Sequence, residues 1–141
     1  MKTIYKILSL MVLVSIIAGV SMPVNATLVS VRVSAGASLY TDNYSTADGN
    51  HSQCHMALTH VHFDYYPENN IPSSYYVYAR LYLKSPRNAA SDLASFSQVS
   101  TSGYNYWFWN GYATYGQMFV LKTNSNLDVA YYATFDFSAN G

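Results

Sequence analysis

Between Tyr75 and Lys84 the chain alternates in character residue by residue. Tyr75, Val77, Ala79, Leu81 and Leu83 fall on one parity, and Tyr76, Tyr78, Arg80, Tyr82 and Lys84 on the other. Successive side chains of a strand point to opposite faces, so this spacing predicts a strand with one apolar face and one face of phenols and cations. A helix would spread the same residues around its axis. The other segments read as partners of this strand.

Val29–Leu39 alternates in the same way and predicts a first strand, with Val29, Val31, Val33, Ala35, Ala37 and Leu39 on one face. Asp42-Asn43 and Asp48-Gly49-Asn50 carry turn chemistry, so 40–52 is expected to be an exposed loop. Across Gln53–Tyr65 the apolar set moves from even positions (Cys54, Met56, Leu58) to odd ones (Val61, Phe63, Tyr65). A one-residue change of phase predicts a β-bulge near Thr59–His60. Pro67–Ser74 reads as a loop, Ser85–Asn88 as a break, and Ala89–Leu93 as at most one helical turn.

Phe96–Ser100 and Tyr104–Trp109 then read as short strands, with Asn110-Gly111 as a hairpin signal. Gln117–Thr123 and Leu127–Phe137 follow as strands, joined by Asn124–Asn126. The pattern therefore predicts an all-β chain, a single antiparallel β-sandwich of about seven or eight short strands. Its core should include Val77, Leu81, Val129, Tyr131 and Phe135.

The first residues stand outside this pattern. Lys2 and Lys6 precede the uncharged apolar run Ile7–Val20, and Val24-Asn25-Ala26 has the small-residue form of a signal-peptidase site. Residues 1–26 are expected to be a signal peptide and 27–141 the β-sandwich domain, exported and released. The apolar run is short for a bilayer span, which needs about 20 residues.

Export changes the charge. Of the seven Lys and Arg, loss of Lys2 and Lys6 leaves Arg32, Arg80, Lys84, Arg87 and Lys122 against seven acids, a net of about −2. That balance argues against nucleic acid and against anionic membrane surfaces, both of which select clustered cations, and no second apolar run follows that would insert stably into a membrane after cleavage. A lone cysteine, Cys54, makes no internal disulfide and, on the apolar parity, reads as a small core residue.

Two groups of side chains are candidates for chemistry. His60, His62 and Asp64 alternate along one strand, so they share a face at about 6.5–7 Å spacing. Two such imidazoles with a carboxylate would suit zinc if a further ligand came from a neighbouring strand. The simpler reading is a solvated polar face behind Val61 and Phe63, with no cofactor. The second group is the ring-rich block from Tyr104 to Tyr112. Trp107 and Trp109 are expected to point inward as the larger apolar pair, leaving Tyr104 and Tyr106 outward as ligand-binding residues; the alternative is that both faces are covered, one ring set by the sandwich and the other by a loop.

No nucleophile elbow, zinc-protease helix or phosphate loop is present in the sequence. Asp128 and Asp136 share a strand parity, but eight residues of strand separate them by about 26 Å, too far for a glycosidase pair. The chain reads as non-catalytic.

The order of Ala79–Leu83, Phe96–Val99, Tyr104–Tyr112 and Leu127–Phe137 behind a signal peptide resembles small, tyrosine-rich secreted all-β proteins of Gram-positive bacteria, bacilli above all, to which no activity is assigned. Ser38-Leu39-Tyr40, His55-Met56-Ala57 and the aromatic last strand are also similar to bacteriocins of the lactococcin 972 type. The first of these families carries no assigned activity; the ring-rich block, if its outer face is exposed, predicts an exported binding or interaction protein of the envelope or extracellular matrix, with a protein or glycan at the cell surface as partner. The second implies a secreted antagonist of other cells. A metal-binding protein built on His60 and His62 is the third expectation.

Overall fold

A computed structural model describes residues 26–141. The expected signal peptide, apart from Ala26, lies outside the described residues. Eight strands are present: β1 (Thr27–Val33), β2 (Ser38–Thr46), β3 (Gln53–Phe63), β4 (Val77–Leu83), β5 (Ala94–Phe96), β6 (Tyr104–Trp107), β7 (Met118–Ser125) and β8 (Tyr131–Ser138). They form two four-stranded antiparallel sheets, in the orders β1-β8-β3-β6 and β2-β7-β4-β5. The described residues contain no helix, so Ala89–Leu93 makes no helical turn; Ala89 and Ser91 instead form isolated bridges to Tyr82 and Phe108.

Inward-facing residues of both sheets share one apolar cluster. Val77, Ala79 and Leu81 of β4 and Phe119 and Leu121 of β7 meet Leu58, Val61 and Phe63 of β3 and Tyr131, Phe135 and Phe137 of β8. The expected core set Val77, Leu81, Tyr131 and Phe135 is buried there, with Val129 half-buried against it.

The bulge expected in β3 is present. Leu58 pairs with Phe135 and His60 with Thr134, leaving Thr59 as the extra residue. The Thr59 hydroxyl donates to the Thr134 carbonyl at 3.1 Å, giving the displaced residue a partner. This shift is what keeps Val61 and Phe63 on the inner face after Leu58.

Three expectations about connections are corrected. The alternating stretch Val29–Leu39 is not one strand: it turns back after Val33, where Ala37 N–H donates to the Ser34 carbonyl at 3.0 Å and Gly36 takes φ +66°. The chain then crosses to the other sheet as β2, a change that alternation alone does not register. The expected loop 40–52 is strand up to Thr46. Asp42-Asn43 does not end β2 but sits in a wide bulge, since Tyr40 pairs with Lys122 and Tyr44 with Val120. Leu121 N–H, denied a backbone partner there, donates to the buried Thr41 hydroxyl at 3.1 Å. Third, Asn110-Gly111 makes no hairpin: β6 belongs to one sheet and β7 to the other. Gly111 N–H closes a turn on the Phe108 carbonyl at 3.0 Å, and of the two residues Gly111 alone has positive φ.

Candidate functional site: a face of rings and cations

The outer face of the second sheet is set by register. Residues directly opposite on neighbouring strands project from the same side. Tyr40 of β2, Lys122 of β7 and Arg80 of β4 are directly opposite one another, forming a row across three strands. The next row in the direction of Lys84 is Tyr44, Val120 and Tyr82; the row on the other side contains Ser38, Asn124 and Tyr78.

Rings and cations interleave along these rows. The Lys122 ammonium lies 5.1 Å from the Tyr40 ring centroid and 5.5 Å from that of Tyr82. Tyr40 and Tyr82 meet edge to face at 5.2 Å, and the Arg87 guanidinium lies 4.8 Å from the Tyr40 ring. The Lys84 ammonium lies 3.7 Å from the Tyr44 ring, and Tyr76 stacks on Tyr78 at 6.1 Å. Val120 is buried although it sits on this outer parity, so the rings roof over it.

Trp109 extends the first row beyond the sheet. Its ring lies 4.5 Å from the Arg80 guanidinium, and its indole N–H donates to Asp92 Oδ1 at 2.9 Å. The segment carrying it is tied to the residue before β3 and to the β4–β5 connection: Phe108 N–H donates to the Ser52 carbonyl at 3.1 Å and Trp109 N–H to the Ala90 carbonyl at 2.9 Å. Between them Phe108 drops into the core, 5.1 Å from Phe119.

This reverses the expected facing of the aromatic block. Phe108 is only 5 % exposed, whereas Trp107 and Trp109 are 58 % and 54 % exposed. An indole N–H entering an apolar core needs a partner, and a phenyl ring needs none. Tyr104 does point outward, at 61 % exposure, but Tyr106 is half-buried against the core. Burial raises the Tyr106 phenol pKa, with smaller contributions from Tyr104 and Cys54.

His60, His62 and Asp64 lie at the first sheet's outer face, where Ser30, Arg32, Tyr132 and Thr134 join the two histidines around a shallow hollow of about 490 Å³. The structure does not assemble them into a metal centre. His60 Nε2 is 3.5 Å from Glu68, and Asp64 is 3.8 Å from Arg32, so each has a different partner. Among the described residues no group of three or more His, Cys, Asp or Glu is placed to hold a metal ion. Cys54 is fully buried and its thiol pKa is pushed up to about 12, chiefly by burial, which leaves it an unreactive core side chain.

The chain matches no protein-family model, no curated protein and no solved structure. The signal of the site was partly present in the sequence, in the even-numbered phenols and cations of β4. The lateral partners Tyr40 and Lys122 come from strands distant in sequence and were not visible as a group.

Proposed function

We propose that this protein is an exported, non-catalytic binding module of the cell envelope or extracellular matrix, a β-sandwich that takes its partner on the outer face of the β2-β7-β4-β5 sheet. The observation that carries this reading is the interleaved row of Tyr40, Lys122, Arg80 and Trp109. Four of the five cations among residues 27–141 gather on this face, although those residues together are net acidic. Rings held by cations lose little freedom on binding, so such a surface engages a partner at small entropic cost. Export is supported by the basic–apolar–small order of residues 1–26.

Retention of envelope and matrix material on the immobilised protein tests the reading. The double substitution Tyr40→Ser and Tyr82→Ser should abolish retention while the protein stays folded. Tyr104→Ser with Tyr106→Ser, on the other sheet, should retain as the parent does. The reverse outcome would move the site to β6, and retention by both variants would exclude both surfaces.

A further inference from the structure

Within the proposed binding face, Arg80 and Lys122 stand directly opposite each other on adjacent strands. Like charges so placed disfavour strand pairing, because their side chains are forced to project side by side. An acid nearby would relieve this, yet none of the ion pairs among the described residues involves Arg80, Lys84, Arg87 or Lys122. Two acids on or beside this sheet are used differently or stand apart. Asp92 accepts the Trp109 indole N–H, and Asp42 sits exposed in the bulge of the edge strand β2. Arg80 also keeps its Nε buried with no hydrogen-bond partner among the described residues. A violated pairing rule with no acid to relieve it is expected where an anionic ligand completes the arrangement.

The two cations border a small hollow of about 160 Å³, also lined by Ser38, Tyr82, Leu93 and Asn124. Pockets that enclose whole small molecules run to roughly 300–1,000 Å³, so this one suits a single group of a larger ligand. Two cations, a hydroxyl, an amide and a phenol present donors to an anionic oxygen cluster flanked by hydroxyls. We infer that this hollow takes the carboxylate of an acidic polysaccharide, with neighbouring sugars lying along the Tyr40–Trp109 row. The inference rests on the binding face proposed above and names its ligand class.

A single-stranded nucleic acid also combines rings with charge, but it needs open ring faces on which bases stack. Here the Tyr40 ring is approached by Arg87, Lys122 and the edge-on Tyr82, and the Tyr44 ring by Lys84. Beside the exposed Trp109 ring, the face offers a partner hydroxyl, amide and cationic N–H groups, which match a polyhydroxylated polyanion.

The probe is polygalacturonate, with its fully methyl-esterified form as the uncharged control and poly(dT) as the nucleic-acid control. The purified parent should bind polygalacturonate, lose binding as salt rises, and ignore the ester. Lys122→Gln and Arg80→Gln should each weaken binding by at least about tenfold, the worth of one charge-assisted hydrogen bond. Lys122→Gln should change the melting temperature little, because relief of the like-charge contact offsets loss of the ring contacts with Tyr40 and Tyr82. Equal binding of acid and ester, tighter binding of poly(dT), no polygalacturonate binding, or parent-level binding by both variants would overturn the inference. The Tyr40→Ser, Tyr82→Ser retention experiment judges the face independently, so an acid-blind site and a misplaced site give different results.

Discussion

The Thr123 and Tyr131 hydroxyls lie 3.1 Å apart in the interior and join β7 of one sheet to β8 of the other. Both side chains are buried, so each phenol and hydroxyl depends on the other for a partner. Tyr131→Phe should cost about 1 kcal/mol, the usual net worth of one such bond. Chemical denaturation at neutral pH measures it.

The same phenol predicts alkaline sensitivity. Burial pushes the Tyr131 pKa from 10.0 up to about 12, the Thr123 bond opposing this in part. The unfolded chain ionises first, so the stability tied to the neutral phenol is whole below pH 10 and is lost as pH rises toward 12. Cys54, raised from 9.0 to about 12 mainly by burial, acts in the same direction and from lower pH. Melting temperature should fall steadily above about pH 9, and Tyr131→Phe should make the fall shallower between pH 10 and 12. A profile flat to pH 12 would contradict the burial of both groups.

Leu81 is fully buried at the centre of β4, paired with Leu121 of β7. Leu81→Ala should destabilise by about 2–5 kcal/mol, combining lost transfer energy with the cavity left behind. A change within experimental error would show that the apolar parity of β4 does not face the core.

Gly103 precedes β6 at φ +57°, and a methyl group added there would come within 2.6 Å of the His55 ring and 2.7 Å of the Ala57 side chain. Gly103→Ala therefore meets both a disfavoured backbone and a crowded site. Overpacking of this kind costs about 1–3 kcal/mol, read from the shift in denaturation midpoint. The same change at Gly111, where an added methyl group meets nothing within 4 Å, should lose only the backbone component.

Both tryptophans are more than half exposed. Native fluorescence should already be red-shifted and open to acrylamide, with little further shift on unfolding. Asp92→Ala should increase quenching by releasing the Trp109 indole from its hydrogen bond. A blue-shifted, protected native spectrum would restore the inward facing of Trp107 and Trp109.

Alternation in the sequence determined most of what is local. The inner face of β4, the bulge at Thr59, the inner parity of β8 from Tyr131 and the absence of helix among the described residues all follow from a period of two and one change of phase. Each concerns side chains two or three residues apart, whose relation the backbone fixes. The same rule could not detect the turn at Gly36, because alternation resumed on the far side with the chain in a different sheet. Nor could it orient Phe108 against Trp107 and Trp109. Parity states that they differ, and which one goes inward depends on the gap between the sheets and on Asp92 waiting outside for an indole.

The sequence by itself therefore determined an all-β chain, the phase of its main strands and one face of phenols and cations on β4. Only the tertiary structure decided that Tyr40, Lys122, Arg80 and Trp109 form a single row. They come from four segments as far as 82 residues apart between Tyr40 and Lys122, brought together by backbone hydrogen bonds that are the same for every side chain. The register of those bonds is set by the bulge after Tyr40 and by packing of Leu81, Leu121 and Phe135 between the sheets. Cooperative burial across the whole molecule fixes that register, and no local stretch carries it.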